Sequence, residues 1–133
     1  MKLTARSEYA LLALVQLARR GTRDYMTVQS IAEAQGIPPK YLEQILLPLK
    51  RAHYVKSLKG QGGGYRLARP ADTISLAEVI RLLDGPLAPT ESVSHYFYEA
   101  TPIEKAPRIV RVLRGIRDHV SRVLEKTTIA DVT

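Results

Sequence analysis

A chain of 133 residues that is 45% hydrophobic and 25% charged has the size and composition of one soluble globular domain. It has no cysteine, which excludes disulfides, thiol nucleophiles and iron–sulfur clusters held by its own Cys. Its net charge of +7 is local: Gln44 to Ala71 carries Lys50, Arg51, Lys56, Lys59, Arg66 and Arg69 and no acid, as a polyanion-binding surface or a solvated surface run would.

From Thr4 to Arg20 the spacing predicts a helix with a broad apolar face made by Tyr9, Leu12, Ala13 and Leu17 beside Leu11, Leu14, Val15 and Ala18, stopped by Gly21. Thr27 can N-cap a short helix through Gln35, with Val28, Ile31 and Ala32 facing inward. Gly36 then permits a tight turn, and Pro38-Pro39 suits the opening of a third helix, where a missing N–H costs nothing. Tyr41, Leu42, Ile45, Leu46 and Leu49 continue at helical spacing, but an interior Pro48 costs about 3 kcal/mol. A kink near Gln44–Leu47 or an early helix end is therefore expected. Two short helices around a Gly-containing turn form a helix-turn-helix pattern.

Two β-like runs follow, Tyr54–Leu58 and Tyr65–Ala68, joined by Lys59-Gly60-Gln61-Gly62-Gly63-Gly64, a hairpin with a flexible basic tip. Ser75-Leu76-Ala77-Glu78 reads as a capping box and Gly85-Pro86 as its matching stop, with Leu76, Val79, Ile80 and Leu83 as the apolar stripe between. Gly85 to Ile103 contains three prolines and no clear period and reads as a loop, with a turn at His95-Tyr96-Phe97-Tyr98. Glu104 to Lys126 reads as a long helix. Its Ile109, Val112, Leu113, Ile116, Val120 and Val123 form a coiled-coil-like seam, which points to a homodimer, and its arginines lie mostly off that seam.

The fold class is therefore mainly α with a small β-hairpin wing, a winged helix-turn-helix plus a long dimerisation helix. The expected division is residues 1–84 for DNA binding, 85–103 as a loop and 104–133 as the dimerisation helix with a C-terminal tail. A helix that enters the major groove reads base edges with its early residues, here Lys40, Tyr41, Glu43 and Gln44. Lys40, Lys50, Lys56 and Lys59 would meet phosphates, or the minor groove at the wing tip. The competing reading is a protein-interaction module that docks onto a partner enzyme, which leaves the acid-free basic window unexplained. Enzymatic readings are poor. The Gly60–Gly64 run precedes a strand and is no dinucleotide fingerprint, and there is no P-loop, His-Glu-x-x-His or nucleophile elbow. The opening residues lack a signal peptide's apolar core, so a cytoplasmic location is expected.

Leu3-Thr4 with Tyr9-Ala10-Leu11, the run Tyr41-Leu42-Glu43-Gln44 and the wing Gly62-Gly63-Gly64-Tyr65 resemble the IscR-like (Rrf-type) regulators, over almost the whole chain. The resemblance implies a homodimer that regulates promoters at imperfect palindromes, as a repressor in the reading adopted here. DNA contacts are expected from Thr4, Tyr9, Gln29, Lys40, Tyr41, Glu43, Gln44, Lys50, Lys56, Lys59, Gln61, Gly62, Gly63 and Arg66. Lys59 stands where the family's wing often has Arg, keeping the charge but losing the planar fork. Cluster-binding members carry three Cys in the loop that here spans Gly85–Ile103 and has none. The chain thus looks like the cluster-free, CymR-type members, which respond through a metabolite or a regulatory partner protein. No cofactor and no bound metal are expected. His95 and Tyr96-Phe97-Tyr98 could line a ligand pocket, but the favoured expectation is that they pack against the long helix. His95, Glu91 and Glu99 in one loop are weak grounds for a metal site.

Overall fold

The computed structural model describes residues 1–21 and 23–133. Helix α1 (Ala5–Arg20) begins at an N-cap, Thr4, whose hydroxyl accepts from the Ser7 amide, and ends at Gly21, whose φ of 90° suits glycine. Helix α2 (Val28–Gln35) is capped by Thr27, and Gly36 closes it in the left-handed region at φ 66°. Helix α3 (Pro39–Arg51) follows, with proline at its first position. Strands β1 (Val55–Leu58) and β2 (Gly64–Leu67) pair antiparallel, Val55 opposite Leu67 and Leu58 opposite Gly64. Helix α4 (Leu76–Asp84) carries the complete capping box of Ser75 and Glu78. Helix α5 (Pro107–Lys126) is the longest element.

The core is built around α1. Ala10, Ala13, Leu14 and Leu17 are fully buried against Ile31 of α2, against Leu42, Ile45, Leu46 and Leu49 of α3, and against Ile74. Each such Leu or Ile contributes roughly 1.5–3 kcal/mol by leaving water. Val110 of α5 packs with Ala88 and Val93, and Leu124 packs on Ala77, Ile80 and Leu87.

Four expectations need correction. Pro48 does not end α3, which runs to Arg51 with Ala52 N–H donating to the Pro48 carbonyl. Proline leaves the Gln44 carbonyl without its helical donor, and Gln44 is exposed, so water can take that place. The long helix begins at Pro107 rather than Glu104. Pro102–Lys105 is a separate 3₁₀ turn, and Ala106, extended at φ −117° and ψ 84°, is held out of the α region by the proline after it. The loop's helical turn lies at Glu91–Val93, and His95–Phe97 only bends, with the Phe97 amide donating to Ser94 Oγ. The loop aromatics are not core: Tyr96 is 73% and Tyr98 59% exposed. Of this group His95 reaches the long helix, its Nε2 3.8 Å from Asp118, while Tyr96 lies under the Arg81 guanidinium of α4.

The C-terminal tail docks. Thr127 accepts from the Leu76 amide and the Ile129 amide donates to Ile74, while the Ile129 side chain is fully buried in the α1 core.

Candidate nucleic-acid interface

The α2–turn–α3 unit presents one face of α3 to solvent. Leu42, Ile45, Leu46 and Leu49 anchor the opposite face. At steps of three and four, Lys40, Glu43, Gln44, Leu47 and Arg51 therefore form one exposed row. Tyr41 is half-buried at its edge and braced by Tyr9 of α1, ring centroids 5.4 Å apart and nearly perpendicular. That contact gives Tyr9 a positioning role behind Tyr41. Leu47, 47% exposed, and Arg51 extend the row beyond the residues read from sequence. Their spacing from Lys40 and Gln44 was the available signal.

The wing is fixed to this unit by backbone. Met26 and Tyr65 exchange hydrogen bonds of 2.8 and 2.7 Å just before α2. Gly64, at φ 138°, allows the approach: a Cβ there would meet the Met26 carbonyl at 2.1 Å. Gly63 was expected on DNA but is buried, and its Cβ would meet the Leu58 carbonyl at 2.1 Å. It closes the hairpin tip and presents no surface. Lys56, Lys59, Gln61 and Gly62 are exposed around it.

The basic residues divide into two classes. Lys40, Lys50, Arg51, Lys56 and Lys59 are exposed, and none forms an ion pair among the described residues. Arg66 is instead half-buried and engaged within the fold, donating to the Arg23 carbonyl at 3.2 Å with its guanidinium over the Tyr25 ring. Arg69 pairs with Glu78 at 2.8 Å and lies over the Tyr54 ring, and the Tyr54 hydroxyl also donates to Glu78. Burial pushes the Glu78 carboxyl up, but the Ser75 amide, Arg69 and the Ser75 side chain outweigh it and hold it below its ordinary range. The same group that caps α4 thus fastens both ends of the wing hairpin.

Thr4 and Gln29 belong to other elements and are engaged there. Besides capping α1, Thr4 bonds Asp84 at the end of α4 through both its amide and its hydroxyl. Burial raises the Asp84 carboxyl, and these bonds bring it below its ordinary value. Gln29 is exposed on α2 and donates to Glu33 at 2.9 Å. On α5, Ile109, Val112, Ile116 and Val123 are 47–62% exposed, and Leu113 and Val120 are half-buried.

The loop residues do not fit an iron–sulfur cluster. Ser92 and Ser94 hold their hydroxyls in hydrogen bonds from Thr101 and the Phe97 amide, and no three His, Asp or Glu side chains gather as metal ligands among the described residues. No helix among those residues is long and apolar enough to cross a membrane.

Residues 3–133 match the profile of the Rrf2 family, described as iron-dependent transcriptional regulators. The chain is similar to the Bacillus subtilis HTH-type transcriptional regulator CymR, 33% identical over 132 residues that cover 99% of this chain and 89% of that one. A solved CymR structure, described as the global cysteine regulator of B. subtilis, superposes with a TM-score of 0.85 at 32% identity, over 99% and 95% of the two chains. The structure of T. potens IscR does so at 0.70 and 30% identity, over 99% and 85%. These relatives are regulators and not enzymes. A helix-turn-helix with an exposed α3 row, a wing pinned beside it and a profile that runs the length of the fold agree: the chain belongs to the Rrf2 family of DNA-binding transcription regulators.

Proposed function

We propose that this regulator binds palindromic promoter sites as a homodimer, acts as a repressor in the cytoplasm, and works without a Cys-ligated iron–sulfur cluster. One observation carries the reading: the exposed row of α3 stands beside a wing whose Lys56 and Lys59 have no acidic partner among the described residues. Tyr41, Glu43 and Gln44 would read base edges, since Gln can pair with adenine and Glu can accept from cytosine. Lys40, Lys50, Lys56 and Lys59 would meet phosphates, which set register without reading sequence. Gln61 and Gly62 at the tip would approach the minor groove.

The exposed apolar stripe of α5 supports the dimer, because four large aliphatic side chains in one row gain by burial against a second copy. Two α3 helices would then meet successive major grooves roughly 34 Å apart.

Selection of bound sequences from a random DNA pool at physiological salt tests the proposal. An enriched palindrome is expected, and Tyr41→Ala or Glu43→Ala should change the enriched bases. Recovery of unselected DNA only, or a monomer at micromolar concentration in ultracentrifugation, would overturn it.

A further inference from the structure

An open cavity of about 440 Å³ lies between α4, the loop after it and α5. Its charged lining is balanced, with Arg81 and Arg122 against Asp118 and Glu125. Arg81 donates to Glu125, and Asp118 accepts from Arg117 at 2.7 Å and lies 3.8 Å from His95 Nε2. Arg122 lines the same space with no hydrogen-bond or ion-pair partner among the described residues. Phe97 and Leu87 supply an apolar wall.

We propose that this cavity binds a small zwitterion of the α-amino acid class, its carboxylate on Arg122, its ammonium on Asp118 or Glu125, and its side chain against Phe97 and Leu87. A simple anion would face the carboxylates of Asp118 and Glu125 here, and a simple cation the guanidiniums of Arg81 and Arg122 with that of Arg117 already held on Asp118, so each would meet repulsion from the lining. A molecule with both charges meets neither. Asp118 and Arg122 are four residues apart on one helix, with Cβ atoms about 5–6 Å apart, close enough for one small molecule to bridge.

The cavity also lies clear of the proposed dimer seam. At about 100° per residue, Asp118, Arg122 and Glu125 fall on one side of the strip by which α5 packs through Val110, Leu113 and Leu124. Ile109, Val112, Ile116 and Val123 fall on the other side. A second copy on the seam therefore leaves the cavity open. The site is one helical turn from the wing's anchor, since Arg81 follows Glu78 by three residues on α4 and Glu78 holds Arg69 and Tyr54. A ligand that draws Arg81 away from Glu125 would load the helix that fastens the wing. This coupling rests on the regulator reading, whereas binding itself does not.

The test is calorimetric titration of the full chain, without DNA, with each protein α-amino acid up to about 10 mM, a range that detects millimolar affinity. At least one should bind saturably. Its N-acetyl derivative, lacking the ammonium, and its methyl ester, lacking the carboxylate, should not. Arg122→Ala, an exposed helical position where Ala is well tolerated, should weaken binding at least about tenfold through loss of a charged hydrogen bond. Lys126→Ala, one turn along and outside the cavity, should match the parent. The proposal falls if no amino acid binds, if Arg122→Ala binds as the parent does, or if the N-acetyl derivative binds equally well, which would make this an anion site. None of these outcomes touches the DNA selection, so the two readings fail separately.

Discussion

Removing one wing charge should change how DNA affinity depends on salt by an amount the structure fixes. The sequence offers six basic residues between Gln44 and Ala71. Within that window Arg66 and Arg69 already hold the Arg23 carbonyl and Glu78. The proposed phosphate contacts are four exposed lysines, Lys50, Lys56 and Lys59 from that window and Lys40 just before it. A dimer then presents eight, and release of counterions gives a slope of log K against log salt of about −7, at about −0.9 per neutralised phosphate. Between about 50 and 200 mM salt the affinity should fall about 10⁴-fold. Lys56→Ala removes two charges per dimer, so the slope should shrink to about −5 and the loss to about 10³-fold. Fluorescence anisotropy of a labelled duplex carrying the selected site, and of a scrambled duplex of equal length, measures both. The two duplexes should respond alike, because phosphate contacts carry no sequence information. An unchanged slope would remove Lys56 from the interface. A parent slope near zero would refute the electrostatic reasoning altogether and favour a protein-docking module.

Ile129→Ala should destabilise the fold by about 2–5 kcal/mol in urea unfolding, since it leaves a cavity at a fully buried position; a loss under about 1 kcal/mol would mean the tail is not part of the core in solution. His53 is held at φ 64° after α3, so His53→Gly should raise stability by about 1 kcal/mol by removing left-handed strain, read as a higher unfolding midpoint at unchanged m-value. Glu78 has a carboxyl pKa lower in the folded than in the unfolded chain. Its contribution is therefore full above the ordinary value of 4.5 and is lost as pH falls through the folded value. Urea unfolding of the parent from pH 6 down to pH 3 should show this loss, and Glu78→Gln should show less of it; equal acid slopes would sink the reading.

Much of the fold could be read locally because its punctuation is chemical. Thr27, Gly36, Pro39, Ser75 and Gly85 each act within four residues of their own position, as Glu78 does in its capping role, and each does in the structure what its side chain or backbone freedom dictates. The misreadings have a different character. Of the two outcomes expected at Pro48, a kink or an early end, the structure excludes the early end, since α3 runs on to Arg51. Gly63 and Arg66 were assigned outward by composition, yet the Leu58 carbonyl and the Arg23 carbonyl, which enclose or hold them, lie five and 43 residues away along the chain. The same limit applies to Tyr9, whose place beside Tyr41 depends on how α1 crosses α3. A basic residue in this window is therefore available to DNA only where the fold leaves it without an internal acceptor. That condition leaves Arg51 with the lysines, exposed and without an internal partner among the described residues, and withholds Arg66 and Arg69, whose planar heads the wing uses to fasten itself to Tyr25, Tyr54 and Glu78.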